Sequence, residues 1–334
     1  MAISTVPSPF AHPFAWKLSM AVIRQMIAIA CFVGCLGLAT CLSAQDKKEE
    51  TKIPPPEDVN RESKDGVALK MTYFAGTNGK RSVPIILLHG WGGQRGDMEA
   101  LALRLQALGQ TCLTVDLRGH GQSMKIKTIE RGEAVFKDLD KDKFRLRDLE
   151  SMTYDIEAAK KFLLEKNNKG ECNIEALGIV ACDVSCSAAM QWSMADWAAP
   201  VLPAFKQGQD VKALVLLSPS PPFKGFDGND FFVNQITRKQ LSVMLVAGSL
   251  DQKSLSEAKR LNTKLQAFHP KATGDDMLDR KQLDLFLVTP ETELQGSKLL
   301  SRALPVVNNI ANFINLRLVE KQDTYSWSDR KSPL

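Results

Sequence analysis

The sequence predicts an α/β protein built on a doubly wound, mostly parallel β-sheet of about eight strands. Between residues 67 and 318, short apolar runs alternate with amphipathic stretches of helical periodicity. The composition is that of a globular protein, since 44% of the 334 residues are hydrophobic and 24% are charged. The formal net charge of +5 is small and evenly spread, so we expect no nucleic-acid partner.

The individual elements follow from this alternation in chain order. Each strand is a run of apolar and β-branched residues that ends at turn-forming residues, as in a sheet covered on both faces. Seven such runs span residues 67–74, 83–88, 111–116, 174–182, 211–218, 241–248 and 283–289. Helical periodicity fills the gaps, most clearly over residues 97–108, 149–165, 185–194, 254–267 and 297–318.

The domain organisation is simple. Residues 45–65 are charged and Pro-rich and predict an extended tether, and residues 66–318 form the α/β domain. Residues 319–334 predict a polar C-terminal tail. The polar stretch 124–147 and the segment 219–239 are each too short for a further domain, so we expect little or no cap over a pocket.

The N-terminal segment predicts an export signal. Residues 1–44 contain no Asp or Glu, and the apolar run 26–42 is shorter than the roughly 20 residues that a membrane-spanning helix needs. The small residues Ser43 and Ala44 suit cleavage by a signal peptidase. We therefore expect a periplasmic or secreted bacterial protein.

Two alternatives remain open in this segment. The sequence LATC at residues 38–41 resembles a weak lipobox, which would attach a lipid to Cys41 and tether the protein to a membrane. No other membrane contact is expected. The start codon is either Met1 or Met20, because the stretch before Arg24 makes a more ordinary signal when it begins at Met20.

Two loop motifs carry a family resemblance. His89–Gly93 (HGWGG) directly follows an apolar strand, and Asp116–Ser123 (DLRGHGQS) follows the next. Together with the order and spacing of the strands, these motifs resemble the α/β-hydrolase superfamily over most of residues 67–318. The resemblance implies an α/β-hydrolase fold with an oxyanion site formed by His89, Gly90, Trp91 and Gly92, together with Val184 after the nucleophile position.

The nucleophile position departs from the family pattern. The family places Ser in a strained strand-to-helix turn, G-x-S-x-G, where crowding requires small flanking residues. Here Ala181 and Ser185 are the small flanks in the sequence ACDVS, which puts Asp183 at the nucleophile position. Ser185 and Cys182 are alternatives with bulkier flanks. An Asp nucleophile occurs in the haloalkane dehalogenase and epoxide hydrolase branches, where it forms a covalent ester.

The acid position is retained, whereas the base position is not. Gly248–Asp251 (GSLD) matches the family's acid motif, although Asp251 also suits the N-terminal cap of the following helix. In the loop after residue 288, Gln295 precedes Gly296 where the family has His-Gly. A glutamine amide does not exchange protons near neutral pH, so Gln295 cannot replace a histidine base.

Other histidines and acids in the sequence are candidate substitutes for the missing base. His269 belongs to the opposite edge of the sheet, roughly 20 Å away across a six-residue strand, and His89 is structural in the family. His120, Glu291 and Glu293 follow strands at the correct edge, and two acids close together would raise each other's pKa. Trp91, Phe223 and Phe226 either line an apolar cleft or belong to the core.

Two functions therefore compete. The favoured hypothesis is an exported, catalytically degenerate protein that binds a small molecule or a protein partner. The alternative is an active ester, epoxide or haloalkane hydrolase that uses Asp183 with His120, Glu291 or Glu293 as an unusual base. A third hypothesis involves Cys182 or Cys186. No cofactor is expected, and the spacing of the cysteines predicts no metal site.

Overall fold

The computed structural model describes residues 53–200 and 206–330. The predicted signal, including Cys41 and both candidate start codons, lies outside the described residues. Within those two ranges, no helix combines the length and the apolar character that crossing a membrane requires.

The main β-sheet has eight strands in the order β1-β2-β4-β3-β7-β8-β9-β10. Strands β1 and β2 are antiparallel to each other, β2 is antiparallel to β4, and the other neighbouring pairs are parallel. Strands β5 and β6 form a separate hairpin. The strands are β1 Glu57–Glu62, β2 Ala68–Phe74, β3 Pro84–Leu88, β4 Thr111–Asp116, β5 Lys125–Glu130, β6 Glu133–Asp138, β7 Leu177–Cys182, β8 Val211–Leu217, β9 Ser242–Val246 and β10 Leu285–Val288.

Helices cover both faces of the sheet, and the predicted fold class is confirmed. The helices are α1 Glu99–Ala107, α2 Leu146–Glu150, α3 Met152–Asn168, α4 Ser185–Ala198, α5 Asp230–Val233, α6 Thr237–Gln240, α7 Gln252–Gln266, α8 Asp276–Gln282 and α9 Val306–Ile314. Buried side chains of α3, α4 and α7 pack on one face, and those of α1 and α9 pack on the other. Between β8 and β9 lie only the short helices α5 and α6, so no large cap covers this edge.

The expected tether is partly wrong. Residues 57–62 form the edge strand β1, which pairs in register with β2 from Glu57 opposite Tyr73 to Glu62 opposite Ala68. Its side chains are mostly charged, and Val59 is buried against the core. An edge strand tolerates charges on its exposed side, and for this reason residues 57–62 show no apolar run that would predict a strand.

The polar stretch 124–147 contains the hairpin β5–β6, which the sequence analysis did not predict. The two strands are joined at Arg131 and Gly132, which both have positive φ, at 51° and 87°. Positive φ at both central residues is the conformation that suits a two-residue hairpin turn. Gly132 is typical of such a turn, whereas Arg131 is not, so the sequence did not predict a hairpin here.

The C-terminal predictions also need correction. The expected helix over 297–318 is interrupted before Pro305, which precedes α9, and a π-helical turn, Asn315–Val319, follows α9. Proline lacks an amide hydrogen and so begins a helix rather than continuing one. The expected frayed tail is bound as far as it is described: the Arg330 guanidinium lies 2.7 Å from Asp210 and 2.9 Å from Glu175. These buried carboxylates require a cation.

Candidate functional site

The turn between β7 and α4 places Asp183 at the carboxyl edge of the sheet. Asp183 has φ = 51°, a left-handed conformation that is strained for a residue other than glycine. Its amide donates to the Leu217 carbonyl at 2.9 Å, which fixes the turn against β8. A Cβ added to Gly90 would lie 3.2 Å from the Asp183 Cβ, so the loop after β3 packs closely on this turn. The carboxylate is half-buried.

The alternative nucleophiles are enclosed. The Ser185 hydroxyl donates to the Cys182 carbonyl at 2.7 Å and lies 2.9 Å from the Cys182 amide, so its bonds serve the turn. Cys182 and Cys186 are buried, and burial raises the pKa of both thiols. A protonated thiol is a poor nucleophile, and a buried thiol is not accessible to a substrate. Of these candidates, Asp183 alone lines the cleft described below.

The loop after β3, residues 89–93, is called the oxyanion loop here after its expected role. The Trp91 amide donates to Asp183 Oδ2 at 3.3 Å. His89 supports the loop: its Nδ1 bonds to the Gly90 carbonyl at 2.7 Å, and its Nε2 accepts from the Leu117 amide at 3.1 Å. Because both ring nitrogens are engaged and burial lowers the pKa of His89, this histidine is a neutral structural bridge.

Asp251 lies in the loop after β9, residues 247–251, which we call the acid loop. Its Oδ1 accepts from the Ser254 amide at 3.4 Å and so caps α7. Its Oδ2 is closed off from solvent and has no hydrogen-bond partner in the part of the chain that the structure describes. Asp251 therefore caps α7 through Oδ1, and no described residue donates a hydrogen bond to Oδ2.

Gln295 lies in the loop after β10, residues 289–295, which we call the base loop. This loop packs directly on the acid loop, because the Leu250 amide donates to the Thr292 carbonyl at 3.2 Å. The next residue, Gly296, donates its amide to Ser218 Oγ at 2.9 Å. The Gln295 side chain is exposed. The structure thus packs the two loops that carry the predicted acid and base positions against each other, while Gln295 faces the cleft and Asp251 does not.

The substitute bases do not reach Asp183. The hydrogen bond that reaches the Asp183 carboxylate within the described ranges is the one from Trp91. His120 is buried behind Trp91, with ring centroids 4.9 Å apart. Its Nδ1 bonds to the Arg118 carbonyl at 2.8 Å, and burial lowers the pKa of His120 to about 4. Glu291 and Glu293 are exposed.

A cleft of about 600 Å³ is lined by the oxyanion loop, the turn at Asp183, the segment after β8, the start of α7 and residues 295–298. Trp91 and Phe223 form one wall, with ring centroids 4.8 Å apart, whereas the expected lining residue Phe226 is buried in the core. Asp183, Val184 and Gln295 line the cleft, and Asp251, His120, Glu291 and Glu293 do not.

Two lysines that the sequence analysis missed also line the cleft. Lys253 is in the first turn of α7, and Lys298 follows the base loop; both are exposed. Neither has an acidic partner within ion-pair distance among residues 53–200 and 206–330. In the sequence, Lys253 follows the acid motif and Lys298 follows the base position. This proximity is the signal that could have predicted two lysines at the site. The described ranges contain no cluster of three His, Cys, Asp or Glu side chains that could hold a metal ion.

Comparisons with known proteins agree with this fold. A family model described as alpha/beta hydrolase fold matches residues 83–171. An esterase from Pyrococcus furiosus has 13% identity and a TM-score of 0.54, covering 79% of this chain and 92% of its own. A dienelactone hydrolase from Anabaena variabilis has 15% identity and a TM-score of 0.51, covering 82% of this chain and 99% of its own. An esterase from Pyrobaculum calidifontis has 11% identity and a TM-score of 0.53, covering 92% of this chain and 95% of its own.

No match was found among curated proteins. At such low identity, the structural similarities show the fold and not the activity. The strand order and the similar solved structures show that this chain has the α/β-hydrolase fold, and residues 83–171 match the model of that family.

Proposed function

We propose that this chain is a catalytically degenerate α/β-hydrolase-fold protein that binds a small ligand in the cleft and acts after export from the cytoplasm. The observation that carries the proposal is Gln295 at the base position, exposed at the cleft in a loop that packs on the acid loop. Export rests on the N-terminal sequence alone.

Hydrolysis by this fold needs a base that accepts a proton from water or from a nucleophile and then returns it. His89 has both ring nitrogens engaged, and His120 is neutral, buried and behind Trp91. His269 bonds to Asp284 at 2.7 Å, at the start of β10 and therefore at the opposite edge of the sheet. These contacts support a site without turnover.

The cleft retains features that suit binding. It has carboxylates at Asp183 and Asp97 and an aromatic wall at Trp91 and Phe223. It also has two lysines, Lys253 and Lys298, which form no ion pair with any residue that the structure describes. A small ligand that carries both an ammonium and a carboxylate group would meet opposite charges at both ends. Amino acids are the simplest probes of this chemistry.

The first experiment measures hydrolysis of p-nitrophenyl acetate, styrene oxide and 1-bromohexane by the wild type, Asp183→Ala and Gln295→His. We expect no turnover by the wild type, and none by Asp183→Ala. Gln295→His is the matched gain-of-function control, because it places imidazole beside the acid loop. Turnover by the wild type that disappears in Asp183→Ala would overturn the proposal.

Binding is tested by thermal unfolding with the twenty standard amino acids as probes. A ligand that binds only the folded state raises the melting temperature by mass action. We expect a rise for the wild type that is lost in Asp183→Ala and in the Lys253→Ala/Lys298→Ala double variant. No rise with any probe, or a rise that persists in both variants, would exclude this ligand class from the cleft.

The alternative, an Asp183-dependent hydrolase, is favoured by the hydrogen bond from the Trp91 amide to Asp183 Oδ2. This bond leaves Oδ1 free to attack the carbon of a haloalkane, forming a C–O bond as the halide leaves. Mass spectrometry after incubation with 1-bromohexane tests this step. A stable hexyl adduct on Asp183 without release of hexanol would mean that the first half-reaction survives and that the base is missing.

A further inference from the structure

One wall of the cleft carries hydrogen-bond donors that the rest of the described chain does not use. Ser218 directly follows β8, and Lys253 and Ser254 are the second and third residues of α7, which follows β9. Strands β8 and β9 are neighbours in the sheet, so these residues lie side by side along its carboxyl edge. Together with Lys298, which also lines the cleft, they form a surface that we call the donor wall.

Ser254 presents a hydroxyl to the cleft from a buried position. The residue is 6% exposed, and it lines the cleft. Its amide donates to Asp251 Oδ1 at 3.4 Å, so the end of the helix is already capped. Its hydroxyl has no hydrogen-bond partner within residues 53–200 and 206–330, and it is not closed off from solvent. This hydroxyl is therefore available to a molecule in the cleft.

Ser218 is the second buried serine of the donor wall. Its Oγ accepts from the Gly296 amide at 2.9 Å, and no described residue accepts the hydroxyl hydrogen. Ser218 has φ = 46°, and Asp183, after the neighbouring strand β7, also has positive φ. Left-handed backbone at residues other than glycine costs energy and is concentrated at ligand sites. Both strained residues line the cleft, which supports a binding role for this edge.

The charges of the cleft are balanced, but they are not equally satisfied. Four charged side chains line it: Asp97, Asp183, Lys253 and Lys298. The two carboxylates accept from the backbone amides of residues 94 and 91, at 3.0 and 3.3 Å. The two lysines form no ion pair with any described residue. The remaining acids of the acid and base loops do not line the cleft. Positive charge is thus the charge that lacks a partner.

We propose that the donor wall binds the phosphate group of a small phosphorylated amine, whose ammonium group lies at Asp183. This inference rests on the proposed function, because it names the ligand class of the same cleft. A phosphate monoester has three terminal oxygens and a charge of about −1.5 to −2 at pH 7, which suits two lysines and two hydroxyls. A carboxylate has fewer oxygens and a single charge, and it would leave part of the donor wall without a partner.

Isothermal titration calorimetry of the wild type tests the proposal. The probes are O-phosphoethanolamine and γ-aminobutyrate, which share an ammonium group and differ in the anionic group, at matched ionic strength. We expect O-phosphoethanolamine to bind at least about tenfold more tightly, because it uses more charge-assisted hydrogen bonds. Inorganic phosphate, which lacks the ammonium group, should bind at least about tenfold more weakly than O-phosphoethanolamine.

Variants of the donor wall locate the site. Lys253→Ala and Ser254→Ala should each weaken binding of O-phosphoethanolamine by about tenfold, since each removes a hydrogen bond to a charged group. Lys259→Ala is the matched control, because Lys259 is an exposed lysine of α7 that does not line the cleft. Its binding should equal that of the wild type. Melting temperatures without ligand check that the variants are folded, and Lys253 is exposed, so its replacement leaves the core intact.

Failure of this inference differs from failure of the proposed function. Equal binding of O-phosphoethanolamine and either other probe would overturn the inference. No binding of O-phosphoethanolamine, or binding that both Lys253→Ala and Ser254→Ala retain, would also overturn it. In each case the proposed function would still stand on the amino-acid screen. Conversely, Asp183-dependent turnover of an ester, epoxide or haloalkane would overturn the proposed function, whichever anion the donor wall binds.

Discussion

The two halves of the candidate site differ in how firmly contacts hold their residues. On one side, the oxyanion loop and the turn at Asp183 are tied together by the hydrogen bond from the Trp91 amide to the Asp183 carboxylate and by the close approach of Gly90. On the other side, the acid and base loops pack on each other, but one Asp251 oxygen has no described partner and Gln295 extends into solvent. The first half is held by contacts between its residues, whereas the second presents an exposed amide at position 295.

The difference follows from what each half contributes to folding. The turn at Asp183 connects two elements of the core, so changes there disturb β7 and α4 directly. An exposed side chain at position 295 contributes little to stability, and its replacement costs little. We therefore expect substitutions at position 295 to change stability less than substitutions in the turn at Asp183.

The largest expected effect is on the contact between the acid and base loops. A Cβ at Gly248 would lie 2.3 Å from the Thr292 carbonyl oxygen, so Gly248→Ala must push the two loops apart. We expect a loss of about 2–4 kcal/mol in the free energy of unfolding, measured with urea. Gly96→Ala is the matched control, because a Cβ there meets nothing within 4 Å. Equal stability of both variants would show that the loops are loosely packed.

The next effect concerns His120, which supports the oxyanion loop through Trp91. Burial lowers the pKa of His120 from its ordinary 6.5 to about 4 in the folded protein. As the pH falls below 6.5, the unfolded chain takes up this proton first, so stability decreases toward pH 4 and is fully present above 6.5. We expect His120→Phe to reduce the loss of unfolding free energy between pH 7 and 5 by about 2 kcal/mol.

Urea unfolding of the wild type and His120→Phe at both pH values measures this difference. His89 is also buried with a lowered pKa, so it contributes to the slope in both proteins and cancels in the comparison. An identical pH dependence of the two proteins would mean that His120 is accessible to protons when folded, which would revive its role as a base.

Much of this architecture was predictable because buried parallel strands leave a direct signal in the sequence. The runs at Thr111–Asp116 and Val211–Leu217 are apolar on both faces, and the structure places strands there. The edge strand Glu57–Glu62 and the hairpin turn at Arg131 carry no comparable apolar pattern. Their conformation depends on partners far away in the sequence, such as β2, and local composition does not encode those partners.

The candidate site was predictable to a similar degree. The steric rule for flanking residues places Asp183 at the turn, where the structure has it at positive φ. The lysines at 253 and 298 were missed, because an exposed lysine in the first turn of a helix is ordinary until the three-dimensional cleft is known. The burial of His120 behind Trp91 likewise depends on packing between loops. The catalytic roles assigned to these positions stay predictions.

A smaller effect sharpens the comparison at the turn itself. Because Asp183 has φ = 51°, glycine at this position relieves backbone strain, and a β-branched residue increases it. We expect Asp183→Gly to change the free energy of unfolding by about +1 kcal/mol and Asp183→Val to lower it by about 1–3 kcal/mol. Urea titration measures both. If valine were tolerated as well as glycine, the turn would not be strained.

The smallest effect is expected at Asp251, which separates its capping role from its place in the site. Asp251→Asn keeps an oxygen for the Ser254 amide, so we expect a change in unfolding free energy within about 0.5 kcal/mol, whereas Asp251→Ala removes the cap and costs about 1 kcal/mol. Urea unfolding measures both variants. A large loss in Asp251→Asn would mean that the buried Oδ2 has a partner that requires its charge, and the acid side would then be as firmly built as the turn at Asp183.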